Sequence, residues 1–267
     1  MHPLHAILLG ALEGLTEFLP VSSTGHLILA SWALGLGGEA VKTFEIVIQA
    51  GALGAVLGLY RARCVAMWQG VLGRDAAGRR LFVNILIGFL PAAVAGLLLH
   101  RVVKEMLFGA RPVIAALAAG GVAMILVDRW SLPRSSRAKT LESIGIGEAL
   151  LIGMAQCLAL WPGTSRSMAT IVAGLLLGWP ATVAAEFSFL LALPTLGAAT
   201  LFDLMKGGHA LLHDVGMLSL GCGVVTAAIV AALAIRGFVR YVTRHGLALF
   251  GWYRLVLAAA VWVVARQ

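Results

Sequence analysis

The most constraining feature of this chain is a polar cluster that interrupts its first apolar stretch. Residues 13–26 read EGLTEFLPVSSTGH and hold two carboxylates, a run of three hydroxyl residues and a histidine. The chain around them is strongly apolar, with a mean hydropathy of +0.95. An ionisable group inside a membrane costs about 2.5–3.5 kcal/mol on insertion scales, so these residues indicate a functional site.

The composition assigns the chain to integral membrane proteins with several spans. Of its 267 residues, 60% are hydrophobic and 12% are charged, whereas a soluble domain carries about 25% charged residues. The net charge of +8 comes from basic residues in short loops between apolar runs, which favours contact with anionic lipid headgroups over binding of nucleic acid. The three widely spaced cysteines predict free thiols.

The apolar runs predict an all-α protein with six spanning helices and two re-entrant helical hairpins. Regions 4–35 and 145–178 each consist of two apolar arms around a proline-containing polar break. Arms of about 10–15 residues are too short to cross a hydrocarbon core of about 30 Å, so both regions are expected to turn back inside the protein. The predicted spans cover residues 44–60, 83–99, 112–127, 186–202, 215–235 and 247–265.

The order of these elements predicts a single membrane domain made of two repeat halves, 1–128 and 143–267. Each half reads hairpin, span, loop, span, span, and the halves match at an offset of 143 residues that slips to 142 near the hairpin tips. The matching pairs include Ala6 with Ala149, Gly10 with Gly153, Pro20 with Pro162 and Ser23 with Ser165.

The charges of the loops predict the orientation of the chain in the membrane. Loops 61–80, 128–142 and 236–247 carry net charges of +4, +2 and +3, and the positive-inside rule places them in the cytoplasm. Three crossings then separate the two hairpins, which therefore enter from opposite faces. Such an inverted-topology repeat tends to place a binding site near the midplane.

Glu13 and Glu17 are four residues apart, so a helix places both carboxylates on one face. Like charges at that spacing repel, and in a low-dielectric setting one carboxyl is protonated or a cation lies between them. A divalent cation fits, with Mg²⁺ expected and Ca²⁺ as the alternative, because hard cations favour carboxylate oxygens together with substrate phosphate. The other alternative is a pair that faces a water-filled crevice without a chemical role.

Pro20 ends the first arm, and the hydroxyl residues Ser22, Ser23 and Thr24 begin the next one. Hydroxyls at a helix start cap it and leave free N–H groups as an anion site. His26 is three residues beyond Ser23 and shares its face of the helix. A serine and a histidine within hydrogen-bond distance form a minimal activated-nucleophile pair. His26 taken alone is better explained as a buried core histidine, but beside Ser23 and two glutamates a chemical role is favoured.

A second polar cluster, PGTSRS at residues 162–167, has the same design. Arg166 at the start of a helix offers a fork of N–H donors that matches a phosphate group. The alternative is a buried ion pair of Arg166 with Glu13 or Glu17. The hydroxyl residues expected to bind phosphate beside Arg166 are Thr164, Ser165 and Ser167.

Four further residues are expected to be structural: Glu45, Gln49, Glu186 and Arg254. The alternative for the first three, at the edges of the spans, is that they line the crevice. No GxxxxGK[ST] motif for a nucleotide occurs in the sequence. A phosphate site buried in a membrane protein therefore favours a lipid phosphate or diphosphate as its ligand.

EGLTEFLPVSSTGH and PGTSRS resemble the two signature motifs of the bacterial undecaprenyl-diphosphate phosphatase family of the bacitracin-resistance type. Segments KTFEIVIQAGALGAV at 42–56 and AAEFSFLLALP at 184–194 are also similar, so the likeness covers nearly the whole chain. One departure is Met168, where family members usually have glycine. The resemblance implies hydrolysis of undecaprenyl diphosphate to undecaprenyl phosphate and phosphate, which recycles the carrier lipid of peptidoglycan synthesis and confers bacitracin resistance.

The resemblance also implies catalytic roles for Glu13, Glu17, Ser23, His26 and Arg166. It implies a location in the bacterial cytoplasmic (inner) membrane, with an active site that faces the outer side. Either Ser23 attacks the terminal phosphorus with His26 as its base, or His26 attacks and forms a phosphohistidine. A polyprenyl-phosphate flippase is the alternative function, and the oligomeric state, including a homodimer, stays open.

Overall fold

The computed structural model describes residues 1–107, 110–131 and 139–264, which form helices and contain no β-strand. Residues 132–138 of the predicted cytoplasmic loop and residue 265 of the last predicted span lie outside the described residues. The helices are α1 (Pro3–Thr16), α2 (Ser23–Ala33), α3 (Glu39–Val47), α4 (Gln49–Leu59), α5 (Arg61–Val71), α6 (Ala76–Met106), α7 (Ala110–Ser131), α8 (Ile146–Gln156), α9 (Arg166–Leu176), α10 (Ala181–Asp214), α11 (Met217–His245) and α12 (Ala248–Val264). Short 3₁₀ turns, Leu141–Ser143 and Cys157–Leu160, lie on either side of α8.

Five segments of the described chain are long and apolar enough to cross a membrane, which confirms the predicted polytopic, all-α class. They are Glu39–Leu59, Ala76–Leu99, Arg111–Trp130, Ala181–Lys206 and Met217–His245. The sixth predicted span is α12, which has 17 residues. At a rise of 1.5 Å per residue α12 is about 25 Å long, slightly less than the hydrocarbon thickness of about 30 Å.

Two elements differ from the prediction. The first predicted span falls on two helices, α3 and α4, which meet at Ile48. The segment after it, predicted as a loop, forms the helix α5, which packs on α6. Two glycines make this packing possible, since a Cβ on Gly70 would lie 2.6 Å from the Cα of Arg79 and Gly78 similarly abuts the backbone of Ala66.

Two hairpins with short arms carry the polar clusters. Helices α1 and α2 form the first, with residues 17–22 as its tip, and α8 and α9 form the second, with residues 161–165 as its tip. α1 packs mainly on α11 and α8 on α6, so each hairpin rests on a long helix from the other half of the chain. Glycine allows this close approach: a Cβ on Gly153 would lie 2.6 Å from the carbonyl oxygen of Gly88.

The two tips share an unusual backbone conformation. Ser22 has a φ of 74° and Ser165 a φ of 72°, and they are the only non-glycine residues with positive φ in the part of the chain that the structure describes. Each is the N-cap of the following helix, with its Oγ accepting from the N–H three residues later. Ser22 therefore corresponds to Ser165 at an unbroken offset of 143, and Ser23, which was predicted to match Ser165, corresponds to Arg166.

Candidate active site

The two tips contact each other, so the two polar clusters form a single site. The Ser167 hydroxyl donates to the carbonyl oxygen of Leu19 across the tips at 3.0 Å. The predicted site residues that are buried here are Glu13, Glu17, Ser22, Ser23, His26, Thr164, Arg166 and Ser167. Ser165 is half-buried, whereas Thr24 is exposed on α2 and lies outside the buried cluster.

Glu17 is the centre of this cluster. Its Oε2 accepts a short hydrogen bond of 2.6 Å from the Ser23 hydroxyl, and its Oε1 accepts from Arg166 Nη2 at 3.4 Å. The carboxylate therefore links a hydroxyl of the first hairpin to a guanidinium of the second. The buried ion pair of Arg166, an alternative left open by the sequence, is present and its partner is Glu17.

Glu13 lies one helical turn before Glu17 and is fully buried. Neither of its carboxylate oxygens accepts a hydrogen bond from a donor of the protein, although the Glu17 carboxyl is within hydrogen-bond reach and Glu45 and Arg166 are further electrostatic neighbours. A buried carboxylate without a partner is costly. Its oxygens fit a hard divalent cation, although no cluster of three or more His, Cys, Asp or Glu that could hold a metal occurs among the described residues.

Arg166 is held in place by residues that the sequence did not single out. Its Nη1 donates to the carbonyl oxygen of Ser188 at 2.9 Å and to the Ser188 hydroxyl at 3.3 Å. The Ser188 and Thr170 hydroxyls are 2.7 Å apart, and the guanidinium lies 5.8 Å from the centre of the Phe18 ring. Arg166 Nε is buried and has no protein acceptor, which leaves it available to a ligand.

His26 is bound differently from the expectation. Its Nδ1 lies 2.8 Å from the carbonyl oxygen of Ser22, and since a carbonyl only accepts, this nitrogen carries a proton. Nε2 of the neutral ring then accepts from the Tyr253 hydroxyl at 2.6 Å, and the two rings are stacked. The expected hydrogen bond between Ser23 and His26 is absent from this described site, because Ser23 donates to Glu17.

The residues expected to be structural divide between the cluster and its surroundings. Glu45 accepts from the Ser31 hydroxyl at 2.5 Å, and Glu186 accepts from Arg63 Nε at 3.0 Å. Gln49 is half-buried at the start of α4. Arg254 donates to carbonyl oxygens of both tips rather than to a carboxylate.

Tyr253 and Ser188 were missed because each is far from the two motifs in sequence. Tyr253 is 227 residues from His26, and no periodicity links them. A weak signal exists for Ser188, which is a lone hydroxyl in the apolar run FSFLLAL at 187–193. Polar residues in predicted spans that lack a local explanation are thus the ones to test as partners of a buried cluster.

The fold and the site define an α-helical integral membrane protein whose two hairpins enclose a buried site suited to a phosphate group. The family described as bacitracin resistance protein BacA matches residues 6–260. An undecaprenyl-diphosphatase of Sorangium cellulosum is 53% identical over 96% of this chain and 84% of the relative. Those of Nitrosomonas europaea and Rhizorhabdus wittichii are 46% and 45% identical, over 98% and 100% of this chain and 94% and 99% of theirs. The chain therefore belongs to the BacA family of bacitracin resistance proteins.

Proposed function

We propose that this chain is an undecaprenyl-diphosphate phosphatase, which hydrolyses undecaprenyl diphosphate to undecaprenyl phosphate and inorganic phosphate. The observation that carries the proposal is the buried series Ser23–Glu17–Arg166, in which a hydroxyl, a carboxylate and a guanidinium are joined by hydrogen bonds. A phosphatase that works through a phosphoserine uses these three groups: a nucleophile, a proton acceptor and a phosphate-binding cation. The names of the curated relatives support the lipid substrate.

Arg166 and the two helix N-termini bind the diphosphate in this proposal. Arg166 Nε has no protein acceptor, and Ser23 and Arg166 are the first residues of α2 and α9. Free backbone N–H groups and the positive end of the helix dipole favour an anion at each of these starts. Ser188 fixes the position of the arginine, so that its positive charge lies where negative charge develops during phosphoryl transfer.

Ser23 is proposed to attack the terminal phosphorus. Glu17 Oε2 takes the hydroxyl proton, the new bond joins Ser23 Oγ to phosphorus, and the bond from phosphorus to the bridging oxygen of undecaprenyl phosphate breaks. A water molecule then attacks the phosphoserine, phosphate leaves, and the proton on Glu17 returns to Ser23 Oγ. The 2.6 Å hydrogen bond from Ser23 to Glu17 supports the carboxylate as the base.

His26 is assigned a supporting role in this proposal rather than the attack on phosphorus. Both of its ring nitrogens are engaged, Nδ1 by the Ser22 carbonyl and Nε2 by the Tyr253 hydroxyl. Tyr253 is partly exposed whereas His26 is buried. This pair therefore connects the buried cluster to the protein surface.

A divalent cation, Mg²⁺ or Ca²⁺, is part of the proposal. Glu13 and Glu17 would hold it, because the two Glu13 oxygens are buried without a partner and such ions readily bind one or two carboxylates together with substrate phosphate. The ion would neutralise charge on the diphosphate when it is bound.

The proposed location is the bacterial inner membrane, with the site open to the outer side. The two most basic loops, 61–80 and 236–247, are both predicted to be cytoplasmic, which supports entry of the first hairpin from outside. Release of undecaprenyl phosphate there would recycle the carrier lipid for peptidoglycan synthesis and account for bacitracin resistance. The oligomeric state, including a homodimer, is left to measurement.

The function is tested with purified protein in detergent, supplied with undecaprenyl diphosphate and Mg²⁺, by measuring phosphate release. Wild-type protein is expected to release phosphate, and Ser23→Ala to reduce the rate about 10³-fold or more, as for other catalytic nucleophiles. Ser219→Ala is the matched control, because Ser219 is also buried but binds the carbonyl oxygen of Met1.

Two outcomes would overturn the proposal. Wild-type protein that releases no phosphate from any polyprenyl diphosphate, with or without the cation, would remove the phosphatase activity. Full activity of Ser23→Ala would show that Ser23 is not the nucleophile, although the chain would still be a phosphatase.

A further inference from the structure

Arg254 lies in the middle of α12 and is completely buried. A guanidinium has five N–H donors in a rigid plane and no acceptor. Each of the five finds a backbone carbonyl oxygen at 2.9–3.3 Å. The acceptors belong to Ala116, Leu117, Pro20, Gly163 and Thr164.

These acceptors come from three separate parts of the fold. Pro20 is in the first tip, Gly163 and Thr164 are in the second tip, and the other two residues are in the middle of α7. Nη1 binds one carbonyl from each tip, at 3.3 Å to Pro20 and 2.9 Å to Thr164. A single nitrogen atom therefore fixes the distance between the two tips.

The carbonyls that Arg254 binds are close in sequence to the reacting groups. Pro20 is three residues before Ser23, and Thr164 is two residues before Arg166. Ser22 lies between Pro20 and Ser23, and Ser165 lies between Thr164 and Arg166. Both serines have a positive φ, a conformation that non-glycine residues keep only where the surrounding structure holds it. Movement of either carbonyl would move the start of α2 or of α9.

We infer that Arg254 is a positioning residue, which sets the separation of Ser23 from Arg166 by binding the backbone of both hairpin tips. The inference rests on the proposed phosphatase function, because it concerns the relative placement of the nucleophile and the phosphate-binding arginine. Arg254 does not touch Glu17, Ser23 or Arg166 by any hydrogen bond that the described residues make. It acts through the main chain instead.

Arg254→Lys is the first test, because an ammonium group keeps the charge but cannot bind five coplanar acceptors. The expected result is a loss of about 100-fold in kcat with little change in KM, the size of effect produced by misplacing reacting groups by about 1 Å. Arg236→Lys is the matched control, since Arg236 is exposed on α11.

Gly120→Ala provides a second variant that keeps Arg254 and displaces it. A Cβ on Gly120 would lie 2.9 Å from Arg254 Cζ and closer still to Nη2, so the guanidinium must move. The same change at Gly54 in α4 is the control, because a Cβ there meets nothing within 4 Å. Gly120→Ala is expected to reduce kcat in the same direction as Arg254→Lys, and Gly54→Ala to leave it unchanged.

Hydrogen–deuterium exchange supplies a readout that does not depend on turnover. If Arg254 positions the tips, residues 18–26 and 161–170 will exchange faster in both variants, while α3 and α11 keep the wild-type rate. Uniformly faster exchange, or wild-type kcat in folded Arg254→Lys protein, would overturn the positioning role. Failure of wild-type protein to release phosphate is a separate result, which would overturn the proposed function and leave the exchange measurement valid.

Discussion

The two hairpin tips have the same backbone but carry different chemistry. Ser22 and Ser165 have nearly equal positive φ angles and the same capping hydrogen bond. The next residue is Ser23 in the first hairpin and Arg166 in the second. In the proposed function, one backbone conformation therefore presents the nucleophile on one side of the site and the phosphate-binding cation on the other.

The arms that lead to the tips differ in whether their polar groups are satisfied. At the offset of 143 residues, Glu13 corresponds to Gln156, and both are buried. Gln156 is neutral, donates to the carbonyl oxygen of Gly88 and accepts from Thr195, whereas neither oxygen of Glu13 has a partner. Gln156 is therefore satisfied by packing, whereas Glu13 is placed to hold the divalent cation of the proposed function. In that proposal the first hairpin carries the reacting groups and the second carries the phosphate-binding arginine.

Among the variants that keep Ser23, Arg166→Lys is expected to have the largest effect, and it tests this division of roles. We expect a loss of about 100-fold in kcat/KM, because a point charge cannot replace the fork that binds Ser188, Glu17 and the phosphate together. Phosphate release measured against substrate concentration gives the value. A loss of less than about 3-fold, which is under 1 kcal/mol, would show that the second hairpin does not hold the phosphate through this fork.

Tyr253→Phe tests whether the chemistry of the first hairpin extends to α12. The change removes the hydroxyl bound to His26 Nε2 and keeps the ring that stacks on it. One hydrogen bond contributes about 1–1.5 kcal/mol, so kcat is expected to fall about 10-fold. An unchanged rate would assign Tyr253 to packing alone.

The sequence predicted the elements of the fold better than the contacts within the site. The hairpins followed from arm length, and the pairing of Arg166 with a buried carboxylate followed from charge. The expected hydrogen bond between Ser23 and His26 is not among the described contacts, because the Ser23 hydroxyl donates to Glu17 and His26 Nδ1 binds the Ser22 carbonyl one turn back. Tyr253 and the five bonds of Arg254 depend on how α12 packs, which no local pattern encodes.

Removal of the two caps tests whether the tips are structurally equivalent. Ser22→Ala and Ser165→Ala each delete a side-chain acceptor for the first turn of the following helix. Each change is expected to lower the free energy of unfolding by about 1 kcal/mol. Denaturant unfolding in detergent gives both values, and losses that differ by more than about 1 kcal/mol would mean that the tips differ as folding units.

Glu142→Gln is expected to have the smallest effect on stability, and it leaves both hairpin tips unchanged. Backbone hydrogen bonding first, and then Thr140 and Arg63, lower the pKa of the Glu142 carboxyl below its ordinary value of 4.5. A lowered pKa in the folded state stabilises above pH 4.5, and this contribution is lost as the pH falls through the lowered pKa. At neutral pH the variant is expected to lose about 0.2–1 kcal/mol of stability, with unchanged phosphate release. Thermal unfolding that shows a loss independent of pH, down to values well below the lowered pKa, would contradict the ionic origin.

Identification of the phosphorylated residue tests the central claim most directly. Rapid acid quenching of wild-type protein with undecaprenyl diphosphate labelled at the terminal phosphate, followed by peptide mapping, reports where the phosphate is held. The proposed arrangement predicts an acid-stable phosphoserine at Ser23 that is absent from Ser23→Ala protein and forms more slowly in Arg166→Lys. A parallel sample is quenched with alkali, which preserves phosphohistidine. Phosphate found on His26 in that sample, and none on Ser23 in the acid-quenched one, would contradict the proposed arrangement.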